Sequence, residues 1–307
     1  MEGQDLRQSS EYSKYMKNIG WQVESGIFIK KFPLIPWSFI KVQRPNWPID
    51  LKKVEKIRKK YKAIQIKIEP NVIDKKKWKE IESELEKYGY KKDKSPMLPT
   101  KTIWLDLRKN EHQLLKEMHY KTRYNIKKSQ ITNNKLQTHP PPRGHGASEG
   151  TANRKLQTIR GDEITDEELK EFYEVYKKNA KKQRFWGLKF NQLKWLMKCF
   201  GKKSYLLVSR QKLKNKELLG GLILLIHDKT AYYSHNAATK EGKKLFMPTL
   251  LVWEAIKLAK KLKCKRFDFE GISDCRFPVT KKWQGFSRFK KGFGGKEVEY
   301  IGSFIYT

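Results

Sequence analysis

The sequence predicts an α+β fold of two domains, with mostly antiparallel mixed sheets flanked by helices. Its 307 residues exceed the roughly 250 beyond which a single core rarely grows. A hydrophobic content of 38%, with 12% aromatic residues, is typical of a folded chain. Along the chain, segments with the two-residue period of strands alternate with segments of helical period. These observations predict a mixed architecture with separate cores.

The first third contains a predicted hairpin followed by alternating elements. Residues 26–32 and 38–42 are rich in aromatic and β-branched residues and are joined through Pro33 and Pro36, which favour turns. Four further elements follow, in the order helix, strand, helix, strand: 51–61, 63–68, 75–88 and 102–107. This region predicts the first domain.

A helix is predicted to connect the two halves. Asn110 is a suitable N-cap with Gln113 three residues later, and the next apolar residues share one helix face. That face comprises Leu114, Leu115, Met118 and Thr122. The Pro- and Gly-rich stretch at 139–153 has no periodicity and is predicted to be a mobile loop. The predicted domains are 1–132 and 161–307, with a loop insertion at 133–160.

The second half begins with a capping box at Thr165 and Glu168. Three strands joined by short polar turns then predict an antiparallel meander, before a helix with a stripe of apolar residues and two final strands. Their predicted ranges are 204–209, 218–227, 230–236, 247–262, 267–270 and 298–305. This is the element order of a GNAT-like acyltransferase domain. The first half resembles a degenerate copy, so a tandem is predicted.

The charge predicts a polyanionic partner. Lys and Arg number 68 against 33 Asp and Glu, a net charge of +35, which favours salt-sensitive attraction to nucleic acid or an anionic membrane surface. A general surplus of solvated lysines explains the same number. Cys199, Cys264 and Cys275 lack disulfide or zinc spacing, and we expect neither a signal peptide nor a membrane span. We therefore expect a cytoplasmic monomer, able to associate with the inner membrane face.

Four segments, taken in order, resemble the signatures of the Fem family. They are Pro99–Leu107, Lys121–Ile126 (KTRYNI), Phe267–Ile272 (FDFEGI) and Trp283–Gly295 (WQGFSRFKKGFGG). The family forms peptidoglycan interpeptide bridges on two fused GNAT-like domains. No long coiled-coil arm is evident, so the chain resembles a short, arm-less branch.

The resemblance implies transfer of an amino acid from aminoacyl-tRNA to the stem peptide of a UDP-linked or lipid-linked muramyl pentapeptide. It implies no cofactor beyond that co-substrate, and no metal. The implied catalytic residues are Lys290, Asp268 and Glu69. The implied substrate-binding residues are Lys14, Arg123, Arg184, Lys189, Tyr232, Tyr233, Arg288 and Phe289.

Most of these residues also have a structural alternative. Lys290 would otherwise be a solvated helix lysine, Glu69 a cap or ion-pair partner, and Arg123 a clamp on the connecting helix. Asp268 and Glu270 are predicted to share one strand face, where a carboxylate serves as a base or accepts backbone N–H groups. The tyrosines and Phe289 suit core packing equally well.

Two other functions remain open at this stage. One is an N-acyltransferase of the same fold with another acyl donor, against which the segment 241–248 argues because it lacks the glycine-rich pyrophosphate loop of acyl-CoA enzymes. The other is a basic nucleic-acid-binding module without catalysis.

Overall fold

The computed structural model of the chain describes residues 3–134, 154–183, 185, 187–211 and 217–307. Its helices are α1 (Ser10–Asn18), α2 (Leu51–Lys60), α3 (Trp78–Lys87), α4 (Glu111–Glu117), α5 (Tyr120–Asn134), α6 (Asp166–Gln183), α7 (Phe190–Phe200), α8 (Lys240–Lys244), α9 (Met247–Lys261) and α10 (Gln284–Lys291).

Thirteen strands accompany these helices in the described residues: β1 (Gln22–Glu24), β2 (Ile27–Lys31), β3 (Ser38–Gln43), β4 (Ala63–Glu69), β5 (Lys91–Asp93), β6 (Lys101–Asp106), β7 (Arg154–Arg160), β8 (Ser204–Gln211), β9 (Leu218–His227), β10 (Thr230–Ala238), β11 (Arg266–Asp268), β12 (Lys296–Glu299) and β13 (Ser303–Tyr306). They form a six-stranded sheet of order β1-β2-β3-β4-β13-β5 and a seven-stranded sheet of order β12-β6-β11-β10-β9-β8-β7. The predicted α+β fold is confirmed.

Two compact units divide the chain. The first contains residues 1–104, 269–290 and 296–307, and the second contains 105–268 and 291–295. These boundaries differ from the predicted domain ranges, which stay a prediction. The first unit includes the last strand, β13, because β13 pairs with β4 and β5.

In the first unit, one face of the six-stranded sheet is a conventional apolar core. The predicted hairpin is confirmed, since β2 and β3 pair antiparallel with Ile27 opposite Val42. Alternate residues of β2, β3 and β4 bury their side chains against α2 and α3, because a strand directs every second side chain to one face. Ile40, Ile66 and Ile68 are each fully buried there.

In the second unit, the meander β8-β9-β10 is antiparallel as predicted. The capping box is also confirmed, because Thr165 Oγ1 accepts from Glu168 N at 3.2 Å and Glu168 Oε2 accepts from Thr165 N at 3.0 Å. Gly221 in β9 lies against the Phe172 ring, where a Cβ would come within 2.6 Å of a ring carbon. The α6 helix therefore packs closely on the sheet.

Three predicted elements differ from the structure. The connecting helix was predicted as one helix, but the structure has two, α4 and α5, because Met118 between them is extended (φ −72°, ψ 150°). The last strand, predicted at 298–305, is also two, β12 and β13, separated by Gly302 at φ +117°. Residues 154–160, assigned to the loop insertion, form β7 and pair with β8. Residues 135–153, which include the predicted mobile loop, lie outside the described part of the chain.

Candidate functional site

The second face of the first sheet is polar yet buried. Lys41, Gln43 and Glu69 alternate with the core residues of β3 and β4, and they are 8%, 3% and 1% exposed. The segment that contains α1 covers this face. Gln8 Nε2 donates to the backbone carbonyl of Gln43 at 2.7 Å, and the Tyr12 ring packs edge-on against the Phe28 ring. Charged and amide groups are thus held away from water, where electrostatic interactions are strong.

Glu69 ends β4 with its two carboxylate oxygens in different environments. Oε1 accepts the backbone N–H groups of Met97 at 2.8 Å and Leu98 at 2.9 Å. Oε2 is buried and accepts no hydrogen bond from the described residues, and the same holds for Oε1 of Gln43, its register partner on β3. Burial raises the pKa of Glu69, and the Arg44 charge and the two N–H groups only partly oppose it. Each of these two register partners therefore presents one buried acceptor oxygen.

Lys41 lies on the same face, among aromatic rings. Its Nζ is 4.3 Å from the centre of the Trp21 ring and 5.7 Å from that of Phe28. Burial lowers its pKa from 10.5 to about 8, against the attraction of the Glu69 carboxylate. A substantial fraction of Lys41 is therefore neutral in mildly alkaline solution.

Residues 269–271, where the chain leaves the strand conformation after β11, form the next part of the site, and we call this segment the 269–271 turn. Glu270 has φ +57° and Gly271 φ +113°, so both lie in the region that L side chains rarely adopt. A Cβ at Gly271 would come within 2.5 Å of the Cβ and Cγ of Pro99, so the close approach requires glycine. The Gly271 amide donates to Thr102 Oγ1 at 3.2 Å.

Arg7 binds the Glu270 side chain through both ends of its guanidinium. Nη1 donates to Oε1 at 3.2 Å, Nη2 donates to Oε2, and Nη1 also lies 3.2 Å from Asp5 Oδ1. Burial alone would lower the pKa of Arg7, but the charges of Glu270 and Asp5 outweigh it and raise the pKa. Burial raises the pKa of nearby Tyr12 to about 12, so its phenol is neutral at physiological pH.

Lys290 is buried beneath this turn. Only 7% of it is exposed, and Nζ donates to the carbonyls of Phe269 at 2.7 Å and Gly271 at 2.6 Å. The alternative of a solvated helix lysine is therefore wrong. The ammonium group of Lys290 is instead bound to the backbone of the 269–271 turn. The side chain of Glu270, the central residue of that turn, binds Arg7. We call Arg7, Lys41, Glu69, Glu270 and Lys290 the charged cluster.

Asp268 and Glu270 do not share a strand face. The strand β11 ends at Asp268, which is 4% exposed and pairs in parallel register with Tyr232 of β10. Glu270 follows in a left-handed conformation and belongs to the turn. The prediction assumed regular strand alternation, which the positive φ values of Glu270 and Gly271 interrupt. The chain still runs along β6, because Phe269 N and Ile272 N donate to the carbonyls of Ile103 and Lys101.

The aromatic residues of β10 lie in the second unit. Tyr232 and Tyr233 are 2% and 6% exposed, and burial raises the pKa of Tyr233 well above its usual range. Burial lowers the pKa of His235 to about 4, and its ring lies 5.5 Å from that of Tyr176. These side chains are packed as core residues, and their part in substrate binding stays a prediction.

The remaining predicted binding residues lie at the surface. Lys14 on α1, Lys189 before α7 and Arg288 on α10 are exposed, whereas Phe289 is half-buried. Arg123 clamps the break between α4 and α5, because Nη1 donates to the carbonyls of Met118 and of Lys116, the latter at 3.3 Å. This is the clamp foreseen for it, made through carbonyls in place of an ion pair. Arg184 lies outside the described residues.

Arg7, Tyr12 and Lys41 are site residues that the sequence reasoning missed. Lys41 is at one of the polar positions that alternate with the apolar ones in β3, and a lysine at such a position normally faces solvent. Arg7 immediately precedes the Gln8-Ser9 stretch, and its ion-pair partner is 263 residues away in sequence. A local sequence pattern cannot predict an ion pair between residues that far apart in sequence.

The described residues contain no group of three or more His, Cys, Asp or Glu side chains arranged to hold a metal ion. Within the same residues, no helix is long and apolar enough to cross a membrane.

Comparison with known proteins identifies the C-terminal third. The sequence model of the FemAB family matches residues 209–307, a segment that includes the 269–271 turn and Lys290. This third of the chain resembles the FemAB family in sequence. No curated protein sequence matches the chain.

The fold of FemX extends over nearly the whole chain. The crystal structure of FemX superposes with a TM-score of 0.74 at 17% identity, covering 98% of this chain and 92% of FemX. The C-terminal domain of a putative lysylphosphatidylglycerol synthetase from Agrobacterium fabrum gives 0.60 at 11% identity, covering 98% and 89%. The Fem resemblance is therefore confirmed, by sequence for the FemAB segment and by fold for the remainder.

A tandem GNAT protein from the clavulanic acid biosynthesis pathway also shares the fold. Its TM-score is 0.50 at 10% identity, and the alignment covers 91% of this chain and 77% of that protein. The predicted GNAT-like architecture is confirmed, and the matches support an acyltransferase. The arm-less branch stays a prediction.

Proposed function

We propose that this protein transfers an amino acid from aminoacyl-tRNA to an amine of the peptidoglycan stem peptide, as the first step or a later step of an interpeptide bridge. The observation that carries this proposal is Lys290. It lies in the FemAB segment and is a buried cation fixed by two carbonyls at 2.6–2.7 Å. A fixed cation in a water-poor site stabilises the oxyanion that forms when an amine attacks an ester.

The charged cluster supplies groups suited to the acceptor amine. The paired oxygens Glu69 Oε2 and Gln43 Oε1 are buried acceptors, and such atoms favour a ligand that brings N–H donors. Burial raises the pKa of Glu69, which makes it a better base for the proton that the amine must lose. The Arg7–Glu270 pair would hold the 269–271 turn while the ester bond breaks and the ribose hydroxyl takes a proton.

The region before α9 supports a donor other than acyl-CoA. Residues 240–244 form the helix α8, and Phe246 precedes α9 with φ +57°. The one glycine of residues 240–248 is Gly242, where a Cβ would lie 1.9 Å from the Leu219 carbonyl oxygen. That glycine serves packing against β9, so no glycine-rich loop is present there to hold a pyrophosphate. An aminoacyl-tRNA donor would also place the reaction in the cytoplasm.

The test is incubation with charged tRNAs and a UDP-linked or lipid-linked muramyl pentapeptide, followed by mass spectrometry of the acceptor. We expect a mass gain of one amino acid residue. Acetyl-CoA as donor and phosphatidylglycerol as acceptor form separate arms, the second because of the fold shared with the lysylphosphatidylglycerol synthetase domain. Modification only in either of those arms, or in none, would refute the proposal.

Variants at neighbouring lysines separate catalysis from charge. Lys290→Met should lower the transfer rate by about 100-fold or more, the usual effect of removing a group that stabilises an oxyanion. Lys291→Met is the matched control, because Lys291 is the next residue and is exposed. Circular dichroism at the assay temperature checks that both variants are folded. Equal rates in the two variants would remove Lys290 from the mechanism.

A further inference from the structure

The loop between β2 and β3 exposes a run of large apolar side chains. Phe32, Leu34, Ile35 and Trp37 are 36%, 104%, 46% and 48% exposed. The loop is an ordered hairpin end, since Phe32 N donates to the Trp37 carbonyl at 3.0 Å. Single exposed apolar residues are common on proteins, but a contiguous group of this size marks a contact surface.

The backbone at Leu34 strengthens this interpretation. Leu34 has φ +67°, a left-handed conformation in which glycine or asparagine is favoured and leucine is strained. Its side chain packs on nothing within the protein, because it is fully exposed. The sequence therefore holds a leucine where neither local conformation nor the core explains it.

Two lysines flank this apolar loop. Ser38 N donates to the Lys62 carbonyl at 3.3 Å, and Ser38 Oγ donates to the Tyr61 carbonyl at 2.8 Å, which places the start of β4 beside the loop. Lys31 Nζ lies 5.7 Å from the Tyr61 ring. Lys31 and Lys62 are exposed, as is Ile64 at 48%. We define the hairpin patch as Lys31, Phe32, Leu34, Ile35, Trp37, Lys62 and Ile64.

We propose that the hairpin patch docks onto the surface of an anionic phospholipid bilayer. Its apolar side chains would enter the boundary between headgroups and acyl chains, where tryptophan is favoured. Lys31 and Lys62 would lie at the level of the lipid phosphates, and the net charge of +35 attracts the whole chain to an anionic leaflet. Apolar side chains inside a basic rim fit a membrane better than a protein surface.

The docking goes beyond transfer to a stem peptide, because it concerns where the protein works and not the chemistry. A lipid-linked acceptor would be reached from the bilayer surface. A soluble UDP-linked acceptor would not need the patch, and the patch contains no residue of the charged cluster.

Vesicle flotation tests the proposal with wild type and two variants. The vesicles contain either phosphatidylcholine alone or phosphatidylcholine with about 30% phosphatidylglycerol, a content that gives an anionic surface. Leu34→Asn removes the central apolar side chain and suits the left-handed backbone. Tyr88→Asn is the matched control, because Tyr88 is 39% exposed and lies outside the patch.

We expect wild type to float with the anionic vesicles and to be released by salt. Leu34→Asn should bind about tenfold more weakly, the factor expected for removing one buried leucine from the contact. Its thermal midpoint should equal or exceed that of wild type, since strain is removed. Tyr88→Asn should bind as wild type does.

Several results would overturn the proposal. They are no wild-type binding to anionic vesicles, equal binding by Leu34→Asn, and equal losses in both variants. Dimerisation of wild type in solution that Leu34→Asn abolishes, without vesicle binding, would make the patch a protein interface instead. Transfer to a soluble acceptor, measured on the same preparations, is expected to be unchanged in Leu34→Asn. Failure of the docking is therefore distinguishable from failure of the proposed function.

Discussion

Replacing Lys41 with methionine should stabilise the protein at neutral pH. Methionine keeps most of the side-chain volume beside Trp21 and removes a cation that is 8% exposed. The pKa falls from 10.5 to about 8 on folding, a difference of about 2.5 pH units, which at about 1.4 kcal/mol per unit amounts to about 3.5 kcal/mol. That is the upper size of the gain expected for Lys41→Met at pH 7.

The pH dependence of this gain has a definite sign. Between about pH 8 and 10.5 the unfolded chain binds the Lys41 proton while the folded chain does not, so the stability of wild type rises with pH in that window. The advantage of Lys41→Met should therefore shrink as pH increases from 7 to 10.5, and it should be full below pH 8.

Urea unfolding of both proteins at several pH values measures this difference. Lys79→Met is the matched control, because Lys79 is exposed on α3 and its replacement should change the free energy of unfolding by no more than about 0.5 kcal/mol. A Lys41→Met advantage that is absent at pH 7, or that grows between pH 8 and 10.5, would refute the reasoning.

Three further predictions concern the turn at residues 269–271. Glu270→Gln removes the bidentate carboxylate partner of Arg7 and leaves Asp5 beside its guanidinium, so it should lower the free energy of unfolding by about 3 kcal/mol. The double variant Arg7→Met, Glu270→Met should recover part of that loss. Urea unfolding of the set measures both effects, and a purely additive double variant would contradict the pairing. Gly271→Ala places a Cβ within 2.5 Å of Pro99 at a residue with φ +113°, so it should lower the thermal midpoint. Gly285→Ala is the control, because a Cβ at Gly285 meets nothing within 4 Å. Equal midpoints in the two variants would contradict the close approach. Lys290→Met should cost about 2 kcal/mol of stability because the carbonyls of Phe269 and Gly271 lose their donor, and calorimetry finding no loss would mean that those hydrogen bonds contribute little.

Local sequence patterns predicted most of the elements. Enrichment in aromatic and β-branched residues identified β3, alternation identified β4, and the capping boxes at Asn110 and Thr165 identified helix starts. These signals involve residues close to one another in sequence. The four ordered motifs indicated the Fem family, and Lys290 was selected from one of them.

Elements that depend on distant packing were not predictable in the same way. The continuous apolar stripe suggested one connecting helix, yet the chain breaks at Met118. Residues 298–305 were predicted as one strand, yet the chain turns at Gly302 and β12 and β13 join different sheets. In both cases the local pattern is compatible with two outcomes, and pairing with remote strands or helices selects one.

The sequence by itself determined most of the strands and helices, the apolar faces of their core residues, and the resemblance of the C-terminal segment to the Fem family. Only the tertiary structure decided that the polar face of the first sheet is covered, so that Lys41 and Glu69 are buried charges with shifted pKa values. It also decided that Lys290 lies beneath a turn held by Arg7. The physical reason is that sequence periodicity reflects the preference of each side chain for water or for the core. The desolvation of a side chain depends instead on which chain segment covers it, and that segment can be distant in sequence.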